Sequence, residues 1–156
     1  MKVTDTHVYF WGGPFSNFYS CEIDYENKLF HSSEQIFMYL KARHFKDHVT
    51  ADKILFATNP KDAKALGRLV ANFNDEEWNK VKTNYMTEAL IYKFSHNEDL
   101  GNLLKSYSDK IFVEASPYDK IWGVGLTEYN PLILDESNWL GENLLGKCLN
   151  NICNKI

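Results

Sequence analysis

Apolar and polar positions alternate in the first thirty residues and then change period. "HVYFW" reads as a short strand, and "GGPFSNFYS" is dense in turn formers. "EIDYENKLFH" alternates on both sides of Glu26-Asn27, the pattern of a small hairpin. From Ser32 the spacing becomes helical. Ser32 with Gln35 forms a capping box that opens a helix running to about Phe45. Thr50 is placed to cap a short helix over "ADKILFA", and Asn59-Pro60 with Asp62 to start another. "NDEEWNKVKTNYMTEALIYKF" carries acids in its first turn, and Trp78, Val81, Met86, Ala89, Leu90 and Lys93-Phe94 recur along it at helical spacing. It is the longest predicted helix. "EDLGNLLKSY" adds a helix, "KIFVEA" a strand, and "GENLLGKCLNNICNKI" a closing amphipathic helix. These elements predict a mainly α (α+β) fold: one compact, multihelical domain over 1–156 with a small N-terminal β-hairpin and short strands.

Two charges break the pattern of the first helix. At about 100° per residue, Ile36, Phe37 and Leu40 share one arc that Met38 and Phe45 continue, with Gln35, Tyr39 and Arg43 on the opposite side. Glu34 and Lys41 fall inside the apolar arc. Seven residues apart, they stand about two turns from each other at roughly 1.5 Å rise per residue. That span exceeds a direct salt bridge and suits a small molecule held between them. Burial raises a carboxyl pKa and lowers an amine pKa, the conditions for a proton shuttle and an amine nucleophile. Separate ion pairs elsewhere in the fold, or a snorkelling Lys41, explain the same letters.

A second candidate is "VEASPYDKIWGVGL". Ser116 with Asp119 reads as a capping box, Pro117 suits a first helical position, and Gly123 can end a single turn. Capping leaves Trp122 and its two spaced glycines unexplained, an arrangement that lets a ring and open amides face a ligand. Glu114, alternating on the strand, reads as structural. Arg68 in "LGRLV" is a fixed cation that suits a phosphate and equally a surface position. "GGPFSNF" and "GENLLG" match neither phosphate-loop pattern, and no Ser-His-Asp or Cys-His arrangement follows from spacing. His44 and His48 lack an H-E-x-x-H setting and a third ligand at diagnostic spacing, so no metal and no cofactor are expected.

Composition narrows the classes. A net charge of -4 excludes a broad phosphate-neutralising face while leaving contact with one nucleotide open. Aromatic residues make up 15% of the chain, enough to line a pocket as well as fill a core. Cys21, Cys148 and Cys153 are odd in number and lack C-x-x-C spacing, which predicts free thiols in a reducing compartment. With no membrane-length apolar run and no signal-peptide centre in "MKVTDTHVYFW", the expected location is cytoplasmic, the host cytoplasm if the chain is viral.

Taken in order, "FSNFYSCEI", "SSEQIFMYLKARHF", "NPKDAKALGRLV", "W...K..YM..AL..KF..N..L...LL", "VEASPYDKIWGVG" and "GENLLG" resemble the YbiA-like family, also called NADAR, from about Phe10 to Gly146. The resemblance implies a compact, mainly helical, metal-independent N-glycosidase that hydrolyses the bond between a ribose C1 and a base nitrogen. It implies two substrate classes: guanine carrying ADP-ribose in DNA or RNA, whose release reverses toxin-made modification and serves phage counter-defence, and phosphorylated ribosylamino-pyrimidine intermediates of riboflavin synthesis. A non-catalytic module that binds ADP-ribose or a nucleotide is a further alternative. By position, Glu34, Lys41 and Asp119 become catalytic candidates, and Asn17, Phe18, Arg68, Trp78, Trp122 and Gly123 substrate-binding ones. Neither a membrane nor an obligatory protein partner is implied. The C-terminal "KCLNNICNKI" departs from the apolar, arginine-bearing tail common in the family. The acidic balance favours a free nucleotide, whereas an enzyme that takes one base out of the stack needs few phosphate contacts. The ADP-ribosyl-guanine reading ranks first.

Overall fold

The computed structural model describes every residue, Met1–Ile156. Short strands and six helices appear in the order β1 (Lys2–Val3), β2 (His7–Phe10), β3 (Ile23–Tyr25), β4 (Lys28–Phe30), α1 (Ser33–His44), α2 (His48–Phe56), α3 (Pro60–Gly67), α4 (Asp75–His96), α5 (Glu98–Ser106), β5 (Ile111–Glu114) and α6 (Leu144–Ile152). The chain gathers into two compact units, one of residues 17–98 and one of residues 1–16 with 99–156.

In the unit 17–98, β3 and β4 pair antiparallel around Glu26 and Asn27, both at positive φ as a two-residue type I′ hairpin demands. The helix α1 packs against α2, α3, α4 and β4. Being surrounded, it buries both sides: Gln35 and Tyr39, expected opposite the apolar arc, are buried too. Gln35 satisfies its amide by donating to the Ile54 carbonyl at 2.9 Å. Ser32 caps α1 as expected, accepting from the Gln35 amide, but the reciprocal bond runs from the His31 amide to Gln35 Oε1. The box therefore closes one residue earlier. The cap of α2 is Asp47, not Thr50; its carboxylate accepts from the Thr50 amide and hydroxyl, and the helix starts two residues earlier than Thr50. Asn59 and Asn74 cap α3 and α4.

In the other unit, β2 lies between β1, antiparallel, and β5, parallel, with Phe10 in register with Glu114. Phe15 packs edge-on against Phe10 and Phe112, and α6 covers β5. A second apolar group joins Tyr9, Val113, Ala115, Val124, Leu126 and Ile133, with Trp139 against it. The predicted single helical turn after Ser116 does not form. Ser116 Oγ instead accepts from the Tyr118 and Asp119 amides, and Asp119 Oδ1 from the Ile121 and Trp122 amides, giving two consecutive side-chain-closed bends. The closing helix is shorter than expected because Asn143, at φ 55°, stands outside it; its side chain bonds the Phe112 carbonyl and the Glu114 amide. "GENLLG" thus seals the β5 edge with an amide side chain. No helix is long and apolar enough to cross a membrane.

Candidate active site

The two charges of α1 occupy different settings on one helix. Glu34 lies in the first turn and is only 7% exposed. Its backbone amide donates to the Asn17 carbonyl at 3.1 Å, and the neighbouring Ser33 hydroxyl donates to Asn17 Oδ1 at 2.8 Å. Asn17 Nδ2 points to the Met86 sulfur of α4. The serine and asparagine of these two blocks thus clamp the start of α1, and Asn17 fixes where Glu34 stands.

Lys41 lies two turns on, half-buried, beside aromatic rings. Its Nζ is 4.7 Å from the Phe73 ring centroid and 5.7 Å from that of Trp78. Burial holds the amine pKa below the ordinary lysine value; the negative charge of Glu34 opposes that shift, and the positive charge of Arg68 adds to it. Arg68 reaches this neighbourhood as the C-cap residue of α3, while its own side chain is exposed. The preceding Gly67 lets α3 approach α1 closely, since a Cβ there would run into the Met38 side chain.

Trp78 is buried, tilted against Phe37 and stacked on Tyr85 at 5.9 Å, with Phe45 beside it. Its ring is a wall of the lysine's surroundings more than an open stacking face. The exposed ring is Phe73, at 43%, which sequence reasoning missed. Its only signal in the sequence is an aromatic residue in the polar link before the longest helix. That link is tied down by Asp47, whose second oxygen accepts from the Ala71 amide; this bond and the Thr50 bonds hold the Asp47 carboxyl down at about 2. Phe18 is partly exposed, with Lys64 Nζ 5.6 Å from its ring centroid.

Both ring nitrogens of His44 are engaged, Nδ1 with the Tyr85 hydroxyl and Nε2 with Glu77. No three His, Cys, Asp or Glu side chains gather as metal ligands. A groove of about 750 Å³ between α2 and α3, among Val49, Phe56 and Leu66, does not include Lys41.

Asp119, Trp122 and Gly123 lie in the other unit. The Trp122 amide donates to Asp119 and the Val124 amide to the Glu114 carbonyl, and the Trp122 and Gly123 carbonyls accept from Leu145 and Asn143. Gly123 is required by packing, because a Cβ would stand 2.8 Å from the Asp119 carbonyl oxygen and 2.9 Å from that of Glu114. Trp122 is half-buried. The cysteines are free, with Cys148 and Cys153 buried.

An amine shifted toward its neutral form, with a shielded carboxylate on the same helix face and an exposed ring over it, is equipped for attack on an electrophilic carbon with proton transfer nearby. The NADAR domain profile matches residues 9–156. An N-glycosidase of Acanthamoeba polyphaga mimivirus is 45% identical over 121 residues, 78% of this chain and 71% of that protein. An N-glycosidase of Nostoc punctiforme is 32% identical over 144 residues, 92% of this chain and 85% of that one. The NMR structure of the Escherichia coli protein YbiA superposes with a TM-score of 0.79 at 27% identity, covering 99% of this chain and 86% of that one. The chain belongs to the NADAR, or YbiA-like, family of N-glycosidases.

Proposed function

We propose that this N-glycosidase removes ADP-ribose from modified guanine in DNA or RNA, with Lys41 as the nucleophile. The observation that carries the reading is the Lys41 amine, depressed in pKa and flanked by Glu34, Arg68 and the Phe73 ring. The ribose of an N-linked adduct opens to an iminium-like C1. The neutral Lys41 amine adds to C1, the C1–N bond to guanine breaks as that nitrogen takes a proton, and an imine between C1 and Lys41 remains. Water adds to the imine, releasing ADP-ribose and the free amine. Glu34 carries the protons between amine, base nitrogen and water. Arg68 meets a phosphate of the ADP-ribose, and Phe73 and Trp122 offer ring contacts to the substrate. Asp119 keeps Oδ1 on its two amides and serves through its other oxygen as a second acid or base, or as a partner to a ribose hydroxyl.

The test is release of ADP-ribose from an ADP-ribosyl-guanine oligonucleotide, with a phosphorylated ribosylamino-pyrimidine as the second substrate. Release from the oligonucleotide, lost in Glu34→Gln and Lys41→Ala, supports the reading. Turnover of the pyrimidine alone moves the assignment to the riboflavin-type substrate. Binding of ADP-ribose without turnover of either would leave a reader in place of an enzyme for these substrates.

A further inference from the structure

The parallel pair β2 and β5 sends two loops out from its carboxyl ends, the side from which parallel strands most often present ligand-binding loops. The first begins with Trp11, directly after the fully buried Phe10; the second carries Tyr118. The loops leave the sheet together, because the Ala115 amide donates to the Phe10 carbonyl just beyond the last register pair. The two rings meet, with centroids 5.6 Å apart and planes at 61°.

This contact is not a piece of core. Trp11 is 52% exposed and Tyr118 84% exposed, although each follows residues that the same strands bury. An edge contact at this angle leaves ring face open to solvent. Tyr118 is also held in place, since its amide and that of Asp119 both donate to Ser116 Oγ. Beside Trp11, Gly12 and Gly13 adopt φ of 102° and 72°, and nothing lies within 4 Å of where their Cβ atoms would be. Glycine here supplies an open backbone beside the ring that a flat ligand can approach.

We infer that Trp11 and Tyr118 form a stacking platform for an unpaired nucleobase of a single strand. The choice of occupant rests on the nucleic-acid substrate proposed above. Charge sharpens the chemistry. With a net charge of -4 the protein has little general attraction for phosphates, so its grip on a strand comes from base faces and depends only shallowly on salt.

The experiment measures binding of the full chain to a fluorescently labelled, unmodified single-stranded octanucleotide, against an abasic strand of the same length and charge. Stacking is worth roughly five- to hundredfold in affinity per base. The parent protein is expected to prefer the base-bearing strand by that factor. Trp11→Ala and Tyr118→Ala should each lose most of the preference, and Trp11→Phe should recover part of it. Both rings are exposed, so thermal unfolding of the variants reports that the fold is kept. Equal affinity for the two strands, or a preference that survives both alanine variants, overturns the inference. Release of ADP-ribose is scored separately: a parent that binds bases but releases nothing refutes the proposed reaction and leaves the platform standing.

Discussion

The helix that carries Glu34 and Lys41 and the loop that carries Asp119 and Trp122 belong to the same family resemblance, yet their polar groups are used differently. In the loop, local structure uses one oxygen of Asp119 and much of the nearby backbone. Asp119 Oδ1 holds two amides, Ser116 holds two more, and the backbone around Trp122 is bonded on both sides. In α1 the capping is done by Ser32 and Gln35, so neither Glu34 nor Lys41 is needed to start or end the helix. Lys41 is half-buried against rings at a cost to its charged form. A motif residue whose surroundings work against its ordinary state is stronger evidence for chemistry than one whose surroundings explain it.

The largest expected effect tests that reading of α1. Lys41→Arg keeps the positive charge and removes the nucleophile, so turnover should fall roughly 10⁴-fold or more, the scale on which losing a nucleophile is felt. Borohydride added during turnover of the parent should leave a mass adduct on Lys41. The attacking species is the neutral amine, and burial lowers its pKa, so the rate should rise with pH through a midpoint below the ordinary lysine value of 10.5. A Lys41→Arg protein that keeps its rate, with no adduct on the parent, would leave Lys41 as a charge only and favour direct attack by water.

Most of this contrast between regions was legible only in part beforehand. The helical period, the Ser32 and Asn59 caps and the Glu26-Asn27 turn are local signals, and the structure reproduces them. Glu34 and Lys41 stood out because charge in an apolar arc conflicts with a local rule. Asp47 was missed as a cap because Thr50, which it binds, has an equally good capping side chain. Phe73 could not be found from period or motif, since its meaning depends on α4 and the α3–α4 link meeting α1. The loop after Ser116 misled for a related reason: a capping-box sequence and a pair of side-chain-closed bends use the same Ser and Asp at the same spacing.

A second lysine provides the internal control for the first. Lys93, in the apolar stripe of α4, has no exposed surface, and burial brings its pKa down to about 7, against a smaller opposing influence of Cys21. Its folded pKa lies below its unfolded one, so the unfolded chain binds the extra proton between about pH 7 and 10.5. Stability should therefore rise with pH across that window, by up to about 1.4 kcal/mol per pH unit, and stop changing on this account below pH 7. Lys93→Met should raise stability near neutral pH and flatten the slope in urea titrations. A slope that persists in Lys93→Met would assign the window to other groups. Both lysines are shifted by burial; Lys41 has the exposed Phe73 ring beside it and the charge of Glu34 opposing its shift, so its replacement by a charged isostere should stop turnover.

The smallest expected effect bears most directly on the contrast between helix and loop. Asp119→Asn preserves an oxygen that accepts from the Ile121 and Trp122 amides, whereas Asp119→Ala removes it. If the aspartate only closes the bend, the asparagine variant should match the parent in stability and turnover, and the alanine variant should lose about 1 kcal/mol, the usual worth of such a side-chain cap. If the carboxylate also works as acid or base, Asp119→Asn should keep its stability and lose turnover by roughly 10²- to 10⁴-fold. That outcome would make the two regions equivalent: the loop would then hold its catalytic group with the bonds that fold it, and the amides of Ile121 and Trp122 would be the positioning device for its other oxygen.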